Sequence, residues 1–320
     1  MGIHTKNQQV DKTSALDSKP SIGSFYNVEG HRIWLHRSSS GSPAVVFLPA
    51  AGMVGLDYLN LHRETNKDTT SIIYDRLGTG WSDYVKLPRS ALEVTDELRN
   101  VLQTVGVPPP YLFVGHSLGG IYAQRYAQRF PEEVAGMILL EPPHEDFLTN
   151  IPKFKKRYLL QQSITILRAL FTYKKSYRVL FNQMFTTWPV EIRKPLIEYH
   201  LKTLSKTMTE RKNLNKEIYE EIRKGGKLPD IPLIVYTATG IDPFLTPITS
   251  KSFLRYTLDP FNNMKKYIYK KLANSVPQGE HRILRNAGHT TIHTDCSDEV
   301  SEAIRDLIDL NKKINLGREM

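Results

Sequence analysis

Residues 111–127 confine this chain to very few architectures. Tyr111-Leu112-Phe113-Val114 is a short apolar run, Gly115-His116-Ser117-Leu118-Gly119 follows it, and Gly120 to Ala127 continues with helical spacing. A buried strand that passes through G-x-S-x-G straight into a helix makes a sharp, strained turn, with the serine hydroxyl standing clear of the sheet. Gly115 and Gly119 suit such a turn, because a side chain at either would meet the neighbouring strand or helix. The helix that starts at Leu118 aims its first N–H groups at whatever sits above Ser117. The pattern predicts a serine nucleophile.

Strands and helices alternate through much of the remaining chain. Phe25 to Arg37 reads as a hairpin pair turning at Glu29-Gly30. Ala44 to Leu48 is a buried strand ending at Pro49-Ala50-Ala51-Gly52, and Ser71 to Tyr74 is another, ending at Asp75. Ser90 opens a helix with Glu93 completing a capping box; Val94, Leu98, Val101, Leu102 and Val105 line one face and Gly106 stops it. Met137 to Leu140 and Leu233 to Tyr236 are further strands, the last strand lies near Ile283-Leu284, and a final helix runs from Asp298 to Leu310. Such alternation implies a mostly parallel sheet covered on both faces, with ligands gathered at the carboxyl ends of the strands. Ser117, Asp242, His289 and the Pro49–Gly52 loop all follow strand ends, so one edge of the sheet should collect them.

A serine hydroxyl needs a base within hydrogen-bond reach, and the base needs a carboxylate to fix its tautomer. His289, after Gly288 in a loop, is the expected base, with His293 its nearest rival. These two histidines would share one helical face, but no third ligand follows at sensible spacing, so no metal and no cofactor is expected. Asp242, held by the following Pro243, is the expected acid. Glu141, at the end of an earlier strand, competes for that role, and Asp146 does so more weakly.

The order Ser117…Asp242…His289 resembles that of the α/β-hydrolase superfamily. Five segments carry the likeness: Leu48-Pro49-Ala50-Ala51-Gly52-Met53, the stretch from Tyr74-Asp75-Arg76 to Gly80-Trp81-Ser82, the Gly115–Gly120 turn, Ile234 to Pro243, and Asn286-Ala287-Gly288-His289. The resemblance implies an α/β fold with a mostly parallel sheet flanked by helices and an inserted helical cap. It divides the chain into a flexible tail (1–22), a core (23–144 and 231–320) and a basic cap (145–230). Pro49-Ala50 stands where many relatives carry His-Gly; the backbone N–H groups of Ala51 and Leu118 are the implied oxyanion donors. Dehalogenases and epoxide hydrolases of the superfamily carry aspartate at the elbow, so Ser117 points instead to acyl chemistry. The implied reaction is hydrolysis of a carboxylic ester or thioester with an apolar acyl group, through an acyl-enzyme. An acyltransferase, a lyase using the same residues for proton transfer, and a ligand-binding receptor remain alternatives.

Charge is concentrated in the insertion. Between Glu145 and Leu228 stand 18 Lys and Arg against 8 Asp and Glu, an excess equal to the net charge of the whole chain, +10. Lys153, Lys155, Lys156, Arg157, Lys174, Lys175 and Arg178 alternate with aromatic residues there. This suits a lid that is greasy below and solvated above, and also an anionic lipid surface or a phosphorylated or acidic acyl carrier. No nucleic-acid-binding module's pattern is present, and no nucleic-acid partner is expected. The single cysteine, Cys296, excludes an internal disulfide. The first residues lack the apolar stretch of a signal peptide, and a cytoplasmic location is the expectation, with peripheral membrane contact through the cap as an alternative.

Overall fold

Apolar runs without a polar face set the sheet. In the computed structural model, which describes residues 20–38, 40–150 and 174–319, β3 (Ala44–Leu48), β4 (Ser71–Tyr74), β5 (Tyr111–His116) and β7 (Leu233–Ala238) are buried at every position, as strands covered on both faces must be. With β1 (Ser24–Val28), β2 (His31–Ser38), β6 (Val134–Leu140) and β8 (Gly279–Leu284) they form one eight-stranded sheet in the order β1-β2-β4-β3-β5-β6-β7-β8. β2 is antiparallel to both β1 and β4, and every other pairing is parallel. The β1–β2 hairpin turns at Glu29 and Gly30, both with positive φ, the two-residue turn that matches the twist of the strands.

The helices follow from caps and periodicity. They are α1 (Leu59–Thr65), α2 (Ala91–Thr104), α3 (Leu118–Arg129), α4 (Asp146–Asn150), α5 (described over 174–184), α6 (Val190–Glu210), α7 (Lys216–Lys224), α8 (Lys251–Ala273), α9 (Ile292–Asp295) and α10 (Ser297–Glu319). Ser90 and Glu93 form the expected capping box on α2: the Glu93 N–H donates to the Ser90 hydroxyl (3.1 Å) and the Ser90 N–H to the Glu93 carboxylate (2.7 Å). Sequence reasoning passed over α8. Pro260 lies inside it, and its buried apolar residues crowd into its last turns, at Ile268, Tyr269, Leu272 and Ala273.

Two apolar clusters flank the sheet. One face carries α2 and α3 against Val46, Leu48 and Phe113. The other carries α1 and α10 against Val45, Phe47 and Val114, and it takes in Phe181, Phe185, Trp188, Leu196 and Tyr199 of the expected cap. The described part of the insertion therefore shares a core with the sheet. Polar contacts fix it further: the Trp188 indole donates to Leu56 O (2.8 Å), the Gly80 N–H donates to the Tyr199 hydroxyl (2.8 Å), and His200 meets Asp57 at 2.7 Å. The exposed Arg178–Glu198 and Arg223–Glu145 pairs absorb part of the insertion's positive charge. Lys153, Lys155, Lys156 and Arg157, like residues 1–19 of the expected tail, lie outside the described residues. Among the described residues no helix is long and apolar enough to cross a membrane.

Buried histidines tie stability to pH. Burial, helped by nearby His36 and Arg63, pushes His62 down to about 3, and burial pushes His293 down to about 4. Each is neutral in the folded chain and takes up a proton more readily when unfolded. Their contribution is therefore complete above pH 6.5 and is lost as pH falls toward 4 and then 3. Asp75, pushed up to about 7 by burial, acts in the opposite sense, losing its contribution as pH rises from about 4 to 7. His62→Gln isolates one component. At pH 5 relative to pH 7, urea unfolding should show about 2 kcal/mol less acid destabilisation in this variant than in the wild type.

Candidate active site

Ser117 sits between β5 and α3 with φ 49° and ψ −120°, a conformation that costs a non-glycine residue about 1–3 kcal/mol. Packing holds it there. The Ser117 N–H donates to Leu140 O on β6 (2.9 Å), and α3 is pressed against the end of β3 so closely that a Cβ on Gly119 would lie 1.9 Å from Leu48 O. Ser117 is only 8% exposed. It opens on a cleft of about 600 Å³ that His289, Glu141 and Asp242 also line.

The structure separates the two acids that the sequence left in competition. Nδ1 of His289 lies 2.9 Å from Oε2 of Glu141, so the ring donates to Glu141 and Nε2 is the nitrogen left for proton transfer. Asp242, expected to orient His289, does not meet the ring. Its Oδ1 accepts the Phe244 N–H (2.9 Å), and its Oδ2 accepts both the N–H and the hydroxyl of Thr290 (2.8 and 2.7 Å). Three donors hold that carboxylate, at least one on each oxygen. It therefore straps the histidine loop to the end of β7, and Gly288 permits the close approach, since a Cβ there would lie 2.3 Å from the Asp242 Cα. Asp146 is engaged elsewhere, by Lys271 (2.8 Å).

Glu141 is held as tightly. It directly follows β6, at φ 50°, and is buried. Its Oε1 accepts the Ala238 N–H (2.9 Å) and meets the Lys265 ammonium of α8 (2.8 Å), which also donates to Ala238 O (2.5 Å). Burial by itself would raise the Glu141 pKa. The hydrogen bond from His289 and the Lys265 charge outweigh burial and hold the carboxyl below its ordinary range. Sequence reasoning passed over Lys265, because nothing local distinguishes it from the other lysines of α8.

His116, the variable residue of the elbow, was also missed. Its Nδ1 meets the Tyr58 hydroxyl (2.7 Å) and its Nε2 meets the His289 carbonyl (2.9 Å). The carbonyl can only accept, so Nε2 carries the proton and Tyr58 donates to Nδ1. Burial, with His289 and His293 close by, keeps the His116 pKa well below its ordinary value, so the ring is neutral. Tyr58 in turn accepts the Ala50 N–H (3.2 Å). One buried ring thus joins the expected oxyanion loop to the histidine loop. His293, the rival base, is buried against Tyr58, with ring centroids 4.6 Å apart, and does not line the cleft. Among the described residues no cluster of side chains suits a metal ion.

In the Pro49–Gly52 loop the N–H of Ala50 is spent on Tyr58, that of Gly52 on Glu210 and that of Met53 on Ala50 O. The Ala51 and Leu118 N–H groups are bonded to none of the described residues. Arg76 shapes this loop. Its guanidinium donates to Pro49 O (2.7 Å), Ala50 O (3.2 Å) and Oε1 of Glu210 (2.7 Å), while Oε2 of Glu210 takes the Gly52 N–H. Arg76 lies in the stretch from Asp75 to Ser82, but its partner lies on α6, 134 residues away, where no motif marks it.

The family model described as "Alpha/beta hydrolase family" matches residues 45–303. Among curated proteins, the chain is 28% identical over 135 residues to the uncharacterized protein YbdG of Bacillus subtilis, covering 42% of this chain and 41% of YbdG. It is 31% identical over 107 residues to the uncharacterized protein YqjL of the same organism, covering 33% of this chain and 42% of YqjL. The chain spans less than half the length of either. Among solved structures, a putative lipase of Acinetobacter baumannii superposes with a TM-score of 0.63 at 16% identity, over 91% of this chain and 92% of its own. The esterase EaEST of Exiguobacterium antarcticum gives 0.56 at 14% identity, over 90% and 100%. At such identities these two likenesses speak for the fold.

Arg76 and Glu210 are both buried, so removing one strands the charge of the other. Glu210→Ala should lose about 3–5 kcal/mol of stability in urea unfolding, and Glu210→Gln clearly less, because the amide keeps an oxygen for Arg76.

Proposed function

The chain belongs to the alpha/beta hydrolase family, and we propose that it is a serine hydrolase of carboxylic esters or thioesters whose triad is Ser117, His289 and Glu141. The observation that carries this reading is the 2.9 Å contact between His289 Nδ1 and Glu141 Oε2, in a cleft shared with the strained Ser117. His289 takes the Ser117 proton as the hydroxyl attacks the carbonyl, and Glu141 stabilises the imidazolium that forms. The tetrahedral oxyanion draws on the N–H groups of Ala51 and Leu118. His289 returns the proton to the leaving oxygen or sulfur, and water then cleaves the acyl-enzyme by the same steps. Asp242 acts through the loop that carries His289, and Lys265 acts through Glu141.

Fluorophosphonate labelling followed by intact mass tests the assignment. Wild type should label to one adduct and Ser117→Ala to none. Glu141→Gln should slow labelling by a factor on the order of 10²–10⁴, as loss of a triad carboxylate does. Asp242→Asn should slow it only several-fold. Equal losses at positions 141 and 242 would return the acid role to Asp242, and a folded wild type that does not label would end the hydrolase reading.

Lys265→Met gives a second test. Removing the ammonium takes away the ion pair that holds the Glu141 carboxylate beside Ala238 and His289, so kcat/KM with a short p-nitrophenyl ester should fall several-fold, and Lys265→Arg should restore most of it.

A further inference from the structure

The cleft at Ser117 has a long axis, and α8 supplies it. Leu254, Leu258, Phe261 and Met264 follow one another on the face of α8 that lines the cleft, and the stripe ends at Lys265, beside Glu141. Leu254, Leu258, Phe261 and Met264 are all half-buried. In a helix packed only for stability such a stripe would be covered. Leu245 at the rim and Tyr269 at the far end extend the apolar lining.

Polar side chains on this wall turn their donors into the protein. The Thr257 hydroxyl donates to Phe253 O (2.9 Å), the Asn262 amide to Thr239 O (2.9 Å), and the Lys265 ammonium to Glu141 and Ala238 O. A sugar or a peptide would lose hydrogen bonds to water here and regain few of them. An aliphatic chain would lose none.

Size fits the same class of ligand. Leu254 to Lys265 spans eleven residues of helix, about 16 Å at 1.5 Å per residue, the extended length of a chain of roughly a dozen carbons. The cleft volume of about 600 Å³ lies within the range of pockets that enclose small ligands.

We propose that the substrate carries a long, unbranched alkyl chain, which lies along α8 with its ester or thioester carbonyl at Ser117. This rests on the hydrolase reading above. The chain belongs to the acyl group or to the alcohol, and two substrate series distinguish these: p-nitrophenyl butanoate, octanoate and dodecanoate for the acyl side, and butyl, octyl and dodecyl acetate for the alcohol side.

On one of the two series kcat/KM should climb from four to twelve carbons by on the order of 50-fold, less than the roughly fourfold per methylene of complete burial. In Leu258→Trp, which places an indole across the groove, the ratio of twelve-carbon to four-carbon kcat/KM should fall at least tenfold. Leu254→Trp, one turn further from Ser117, should penalise twelve carbons more than eight. Flat or falling profiles in both series, or a Leu258→Trp variant that leaves the ratio where it was, would overturn the inference. Equilibrium binding of dodecanoic acid to Ser117→Ala separates the two readings. Binding that Leu258→Trp weakens, when the wild type turns over no ester of either series, would keep the groove and discard the hydrolase. Turnover of four-carbon esters without dodecanoic acid binding would do the reverse.

Discussion

A fully buried guanidinium must find acceptors for its donors, and Arg76 finds them in the places that matter most to this molecule. Two are carbonyls of the loop after β3; the third is a carboxylate delivered by α6. Because Glu210 also takes the Gly52 N–H, the ion pair encloses the loop from both sides. The insertion is then part of what gives the loop its shape, and the apolar cluster shared by α5, α6 and the sheet says the same in packing terms. Here Pro49-Ala50 depends on partners reached through space.

The elbow adds a second level of organisation. Beside its strained serine and two flanking glycines, His116 has the widest reach. From one buried neutral ring it touches the tyrosine that caps Ala50 and the carbonyl of His289. The turn that carries Ser117, the His289 loop and the expected oxyanion loop are therefore joined through one buried ring. In the reaction proposed above, that arrangement would limit the reorganisation needed when charge develops.

Much of this was readable in the residues. The G-x-S-x-G run between strand and helix, the capping box at Ser90 and the all-apolar strands are local signals, and the structure places each where local physics puts it. The residues around His289 were harder to read. Asp242 carries every local mark of an acid after a strand, and what redirects it is a local cap on the Phe244 N–H together with two donors from Thr290, 48 residues further along, that only folding supplies. Glu141 gains its position from the turn of β6 and from Lys265, which is 124 residues further along. Glu210 has no signal short of its partner. α8 carries apolar residues at helical spacing, from Leu254 through Leu258, Phe261 and Met264 to Ile268 and Leu272, but Pro260 in its middle and the lysines around that stripe masked the signal.

The contact between Gly119 and Leu48 works as a spacer of fixed thickness. Backbone meets backbone there, without any side chain between, so the gap separating the start of α3 from the loop after β3 is set by covalent geometry and van der Waals radii alone. Drift in the surrounding core can enlarge or shrink side chains on either flank, and this dimension has no soft part through which to follow. Substitutions could exchange many of the interior side chains while the width between the Ala51 and Leu118 amides stayed constant, because backbone alone sets it.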